Sequence, residues 1–173
     1  GILLSDSKIE KYDDIDSDKR SKYFISRIRK DILEGNSYVG FMGTKYKDSF
    51  ITSNVSSFDF LINFLNNKLK FDGQSVVSRT DSSKVGWGHS YEISYTDKIY
   101  LDKFKFFNNN VFDTWVNVEY YNKNFNINHA GYLERNNLKK LDIGIAFTKE
   151  SANRIIIQRS FNIRSEILKN FKN

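Results

Sequence analysis

Cysteine and proline are both missing from the 173 residues. Without cysteine there can be no disulfide, no zinc–thiolate site and no thiol nucleophile. That absence fits a reducing compartment, and a cytoplasmic setting is expected. Long apolar runs are missing as well. No window approaches about 18 consecutive apolar residues, so no membrane span and no membrane partner are expected. The first residues (GILLSDSKIEKYDDIDSDKR) start apolar but carry no basic region ahead of that start. They are not expected to act as a signal peptide.

What is present is aromatic and basic. Phe (15) and Tyr (10) dominate the 16% aromatic fraction, so an aromatic-rich core is expected. The formal net charge is +6, and such an excess favours polyanionic partners through steering and counterion release. The acids Asp6, Glu10, Asp13, Asp14, Asp16 and Asp18 crowd the start. The remainder is therefore more basic than the total implies.

This charge pattern divides the chain into an acidic lead-in, 1–20, and a single domain, 21–173. Phe24, Ile25, Ile28 and Ile32 recur with a helical period, which predicts a helix over 21–34 that Gly35-Asn36 ends. YVGFMG (38–43) reads as a short strand. Phe58, Leu61, Ile62, Leu65 and Leu69 predict a second helix over 56–70, capped by Ser56 or Ser57. Asp72-Gly73 then makes a turn. Beyond it SVVSR, HSYEISY, KIYLDKFKFF and VFDTWVNVEYY read as strands, with a hairpin turn at Asn108–Asn110. A short helix (HAGYLERNNLKK), two strands (LDIGIAFT, RIIIQRS) and a last amphipathic helix (NIRSEILKNFK) follow. The expected fold is α/β or α+β: a mixed, largely antiparallel sheet flanked by helices.

Chemistry concentrates on VFDTWVNVEYY. Alternation puts Phe112, Val116, Val118 and Tyr120 on one face and Asp113, Trp115, Asn117, Glu119 and Tyr121 on the other. The first face suits a core. If Asn109-Asn110 forms a two-residue loop, the hairpin partner sets Asp102 opposite Asn117, on the Glu119 face. A three-residue loop brings Asp97 diagonal to Glu119 instead, because a slip of one residue reverses every side chain. Two such carboxylates form a hard-oxygen site for Mg²⁺, able to activate water against a phosphodiester. A second cluster, SRTDSSKVGWGHSYE, is Gly-, Ser- and Lys-rich. Its Arg79, Lys84, Trp87 and His89 suit contact with a nucleic-acid backbone or a base.

The segment VNVEYYNKNF…HAGYLERNNLKKLDIGIAFT resembles the core of type II restriction endonucleases of the BamHI and BglII kind, in the PD-(D/E)xK superfamily. The likeness covers about 45 residues. It implies a Mg²⁺-dependent DNA endonuclease, with Asp102 and Glu119 as metal ligands and Lys123 or Glu134 completing the catalytic set. Arg79, Lys84, Trp87, His89 and Arg135 are then nucleic-acid contacts, and a two-fold homodimer on DNA is expected. The sequence departs from the pattern at Tyr121, where the family has Lys, Glu or Gln, and it lacks the Pro-Asp dipeptide. His129 and Asp142 read as capping or orienting residues. Two alternatives stand beside this reading. One is a non-catalytic DNA-binding module of a restriction or defence system. The other is an ADP-ribosyltransferase toxin domain, from the likeness of YVGFMGTKYKDSF to a Gly-Tyr-His-Gly-Thr strand, with Met42 in the place of the His. No GxGxxG, P-loop, HExxH or nucleophile-elbow motif occurs.

Overall fold

The computed structural model describes residues 1–8, 20–81, 83–100, 110–128, 133, 135–150 and 158–170. They hold nine strands: β1 (Ile2–Lys8), β2 (Arg20–Ile32), β3 (Ser37–Lys47), β4 (Thr52–Phe64), β5 (Leu69–Thr80), β6 (Gly86–Ile99), β7 (Asn110–Tyr121), β8 (Leu138–Glu150) and β9 (Gln158–Lys169). All nine lie in one sheet, in sequence order. Every neighbouring pair is antiparallel. The only helical element among the described residues is a single 3₁₀ turn, Leu33–Gly35.

The α/β expectation is therefore overturned: this is an antiparallel meander without flanking helices. The helix predicted over 21–34 is β2, that over 56–70 is the β4–β5 hairpin, and the last helix falls in β9. The cause is common to all three. Phe24, Ile28 and Ile32 are four residues apart, as are Phe58 and Ile62, and Ile163 and Ile167. A spacing of four nearly completes a helical turn and is also even, so it keeps one face of a strand as well. The intervening Phe60 and Phe64 settle β4 as period two. HAGYLERNNLKK lies partly outside the described residues; its last three residues open β8, and 135–137 form no helix.

Turns follow the same logic. Gly35-Asn36 ends a strand, with Leu33, Glu34 and Gly35 all at positive φ and the Asn36 amide donating to the Leu33 carbonyl at 3.2 Å. The β4–β5 turn repeats this. Leu65, Asn66 and Asn67 are left-handed, and the Lys68 amide donates to the Leu65 carbonyl at 3.2 Å. Left-handed turns of this kind match the twist of paired strands. The expected Asp72-Gly73 turn instead lies inside β5. A Cβ on Gly73 would meet the Tyr91 ring at 2.2 Å, so the glycine is a seat for that ring. Part of the expected acidic lead-in, Ile2–Lys8, is β1, paired with β2.

Directly opposed residues share a face, so the register sorts the sheet into two sides. One side carries Ser53, Ser57, Asp59, Ser78 and Asp142, all buried. The other carries Phe24, Ile28, Phe41, Phe58, Phe71, Ile93, Val118, Ile143, Phe161 and Ile163, all exposed. Buried hydrophobic residues among those described are few, namely Phe125 and Leu138. The expected aromatic core is thus turned outward. A cavity of about 380 Å³ on the polar side touches both Arg27 of β2 and Asn117 of β7. In a flat sheet five strand spacings of about 4.8 Å would part those strands, so the sheet curls toward its polar side.

Candidate functional site

The concave face is lined with charge. Asp59 accepts from Arg27 at 2.6 Å, and Lys70 meets Asp72 at 2.7 Å. Asp142 takes two parallel bonds from Arg164, Nε to Oδ1 at 2.8 Å and Nη2 to Oδ2 at 2.7 Å. Fork-on-fork pairing of this kind is strong and directional. It holds the Asp142 carboxyl below the usual carboxylate range. Lys140 sits between Glu119 at 3.2 Å and Glu166 at 3.3 Å. Burial pulls its ammonium pKa down, but the two carboxylates outweigh this and the net shift is upward. Burial, with the charge of Glu119 behind it, pushes the Tyr121 hydroxyl up to about 12. Asp72, Glu92, Asn117, Asp142 and Glu166 sit opposite one another from β5 to β9, so four carboxylates and one amide share a row of the concave face.

A chain segment folds into this concavity. After β7, residues 122–128 turn back over the polar face, and Phe125 becomes 2% exposed. Its ring stacks on Tyr121, centroids 5.4 Å apart and planes 7° from parallel. The seat is made by Gly88, where a Cβ would come within 2.5 Å of the ring. The Asn126 amide donates to Ser78 Oγ at 3.0 Å. Asn136 Nδ2 donates to the Lys123 carbonyl at 3.1 Å. Ile127 reaches further, closing a small cavity with Met42, Val55 and Val76. The segment thus crosses the inner side from β7 toward β3.

The convex face is apolar between charged limits. In β8 its outward residues run Lys139, Leu141, Ile143, Ile145, Phe147, Lys149. In β9 they run Arg159, Phe161, Ile163, Ser165, Ile167, Lys169. Each span covers eleven residues, ten rises or about 33 Å of strand at about 3.3 Å per residue. Near one limit, outward aromatics gather: Trp87, His89, Tyr91 and Tyr120, with His89 5.9 Å from Tyr120 and the Lys139 ammonium 5.8 Å from the Tyr120 ring.

The limits also drift. Following the register, the Lys139 row passes through Tyr120, His89, Ser75 and Phe58 to Phe41, four residues short of Lys45. At the other limit, the Lys30 row ends at Leu141, eight residues short of Lys149. Four residues over five strand spacings, and eight over six, correspond to strands tilted roughly 30–40° from the normal of a flat apolar slab.

The described residues among those expected at a nuclease centre fall on both faces of the sheet. Glu119 lies on the concave face, engaged by Lys140, and Tyr121 beside it. Asp102 and Glu134 lie outside the described residues. Asp97 points outward near the other end of the sheet, bound by Lys68 at 2.9 Å and by the Tyr95 hydroxyl at 2.9 Å. Lys123 is exposed in the segment after β7. Arg135 donates to Asn170 at 2.5 Å. Lys84 is exposed in the β5–β6 loop. Arg79, Trp87 and His89 are on the convex face, with His89 Nδ1 3.1 Å from Ser75 Oγ.

Among the described residues no group of three or more His, Asp or Glu side chains could hold a metal. The donors do not fit Mg²⁺ at Glu119, where the Lys140 ammonium occupies the place a cation would take. The inverted faces were missed in the sequence. Their signal was the cation–apolar–cation pattern at period two in β8 and β9.

No family model matches the chain, and comparison with curated proteins and with solved structures finds no match either. Among the described residues no helix is long and apolar enough to cross a membrane. That finding, like the sequence expectation, concerns helices and not strands.

Proposed function

We propose that the nine strands form part of the wall of a membrane-spanning β-barrel, with the convex face against lipid and the concave face around an aqueous, charge-lined interior. The inverted burial carries this reading: large apolar side chains exposed on one face, carboxylates, hydroxyls and ion pairs gathered on the other. In water this arrangement wastes the hydrophobic driving force, and contiguous exposed apolar area of this extent marks an interaction surface. In a bilayer it is the expected one, since barrel strands alternate apolar-out and polar-in.

Dimensions support the same assignment. Ten rises tilted by roughly 30–40° set the flanking cations about 25–29 Å apart along the normal, the height that brackets the apolar band of outer-membrane barrels. Aromatic side chains at the edge of the band agree with the girdles of such barrels. The meander order also fits, because hairpin-connected neighbours are how these barrels are built.

One structural demand follows. In lipid every backbone N–H and C=O must be paired, so a spanning sheet cannot keep open edges. Among the described residues the outer edges of β1 and β9 have no strand partner, so in the membrane each must meet a strand edge of the same alternation. The test is infrared dichroism of the protein in oriented bilayers. Strands tilted by roughly 35–45° to the membrane normal are expected. Protein that stays in the supernatant when mixed with detergent-destabilised vesicles, folded and monodisperse, overturns the reading.

A further inference from the structure

At one corner of the convex face three cations have no ion-pair partner among the described residues. Lys22 of β2 is directly opposite Lys47 of β3, and Phe24 is opposite Lys45. Leu4 of β1 is opposite Phe24. All three lysines are exposed. Like charges set directly across two strands repel, so the arrangement calls for an anion between them. None of the three is ion-paired among the described residues, whereas Arg27, Lys70, Lys140 and Arg164 on the concave face each meet a carboxylate. The acid next in sequence, Asp48, is committed to its own turn, accepting from the Phe50 and Ile51 amides and the Tyr46 hydroxyl. The register sets Asp6 opposite Lys22, so Lys45 and Lys47 carry the site and Lys22 extends it.

The same corner holds a groove of about 490 Å³ bordered by Leu4, Tyr23, Phe24 and the three lysines. Apolar floor and cationic rim lie in the order a lipid would meet them. Leu4 and Phe24 share the row of Lys45, which continues through Asn54 to Arg79, and Lys22 and Lys47 stand two residues further toward the strand ends.

Resting on the membrane reading above, we propose that this corner binds the phosphate-bearing headgroup of an anionic lipid, with Lys45 and Lys47 on the phosphate and one acyl chain along Phe24 and Leu4. A lysine near an anionic headgroup strengthens attraction on the order of fivefold.

The test reconstitutes the protein in phosphatidylcholine vesicles carrying trace spin-labelled phosphatidylglycerol or spin-labelled phosphatidylcholine. Wild type should immobilise the anionic label in preference to the zwitterionic one. The K45Q/K47Q variant should lose that preference by severalfold, and K45R/K47R should restore it. Excess inorganic phosphate should leave it unchanged. An equal preference in K45Q/K47Q overturns the site, and so does displacement by inorganic phosphate, which would assign it to a soluble anion. Insertion is scored separately by strand dichroism. Failure to insert defeats the membrane reading and this proposal together, while insertion without lipid preference defeats this proposal alone.

Discussion

Asp142 and Ile143 are adjacent in β8, yet the carboxylate is 6% exposed and the isoleucine 43% exposed. Along the whole strand, Lys140, Asp142, Gly144 and Thr148 turn to the concave side while Leu141, Ile143, Ile145 and Phe147 turn to the convex side. The contrast repeats in β7, where Val116 and Val118 face outward and Asn117 and Glu119 inward. A water-soluble sheet hides its apolar side; this one presents it. On the proposed reading the two faces meet two solvents, and substitutions on them should obey opposite rules.

The largest difference is expected at the middle of the convex band. Ile143→Arg should destabilise the protein folded into vesicles by about 2–4 kcal/mol, the cost of a cation at the bilayer midplane. Moving the arginine to Phe161, nearer the Arg159 limit, should cost markedly less. Equal costs at the two depths in urea titrations would break the assignment of this face to lipid.

Next comes overpacking on the concave side. Gly88→Val drives a side chain into the Phe125 ring, which lies 2.5 Å from even an ideal Cβ. A loss of about 1–3 kcal/mol is expected, and Phe125→Ala in the same background should recover part of it. No recovery would mean that the 122–128 segment does not rest on Gly88.

Acid sharpens the comparison further. The Asp142 carboxyl is held below its ordinary value by Arg164, so its contribution is present above the unfolded value, about 3.9. It is lost as pH falls through the lower, folded value. Asp142→Asn should therefore lower stability at neutral pH and flatten the fall seen in wild type below about pH 4. A variant with the wild-type pH profile would remove Asp142 from the charged row of the concave face.

The smallest effect is expected at Glu119. Glu119→Gln leaves Lys140 paired with Glu166, so a change of about 1 kcal/mol or less should result. A much larger loss would point to a role for Glu119 beyond this ion pair.

Much of the strand pattern was legible. The β7 alternation divides as expected, and HSYEISY and LDIGIAFT fall in β6 and β8. What misled was polarity of burial and period. Phe112, Val116 and Val118 were expected to seek a core, yet none of the three is buried and Val118 is 45% exposed. Spacings of four at Phe24–Ile28–Ile32 and Ile163–Ile167 satisfied helix and strand alike. Lys139 and Lys149, which bracket four outward apolar residues, were the discriminating signal, because a soluble core strand has no need of cations at both ends of its apolar side. The carboxylate at Glu119 was correctly placed beside Tyr121 and Asn117. That its partner is Lys140 depends on pairing with β8, which local pattern does not specify.

The two tryptophans offer the most direct measurement, since one sits on each face. Trp87 is 46% exposed on the convex side, and Trp115 lies over Gly144 on the concave side, where a Cβ would meet its ring at 2.0 Å. Phenylalanine replacements leave one reporter at a time in vesicles whose acyl chains carry bromine. Trp87 in W115F should be strongly quenched and Trp115 in W87F only slightly. Equal quenching of both, or none of Trp87 in protein shown to be bilayer-bound, would contradict the assignment of the convex face to lipid.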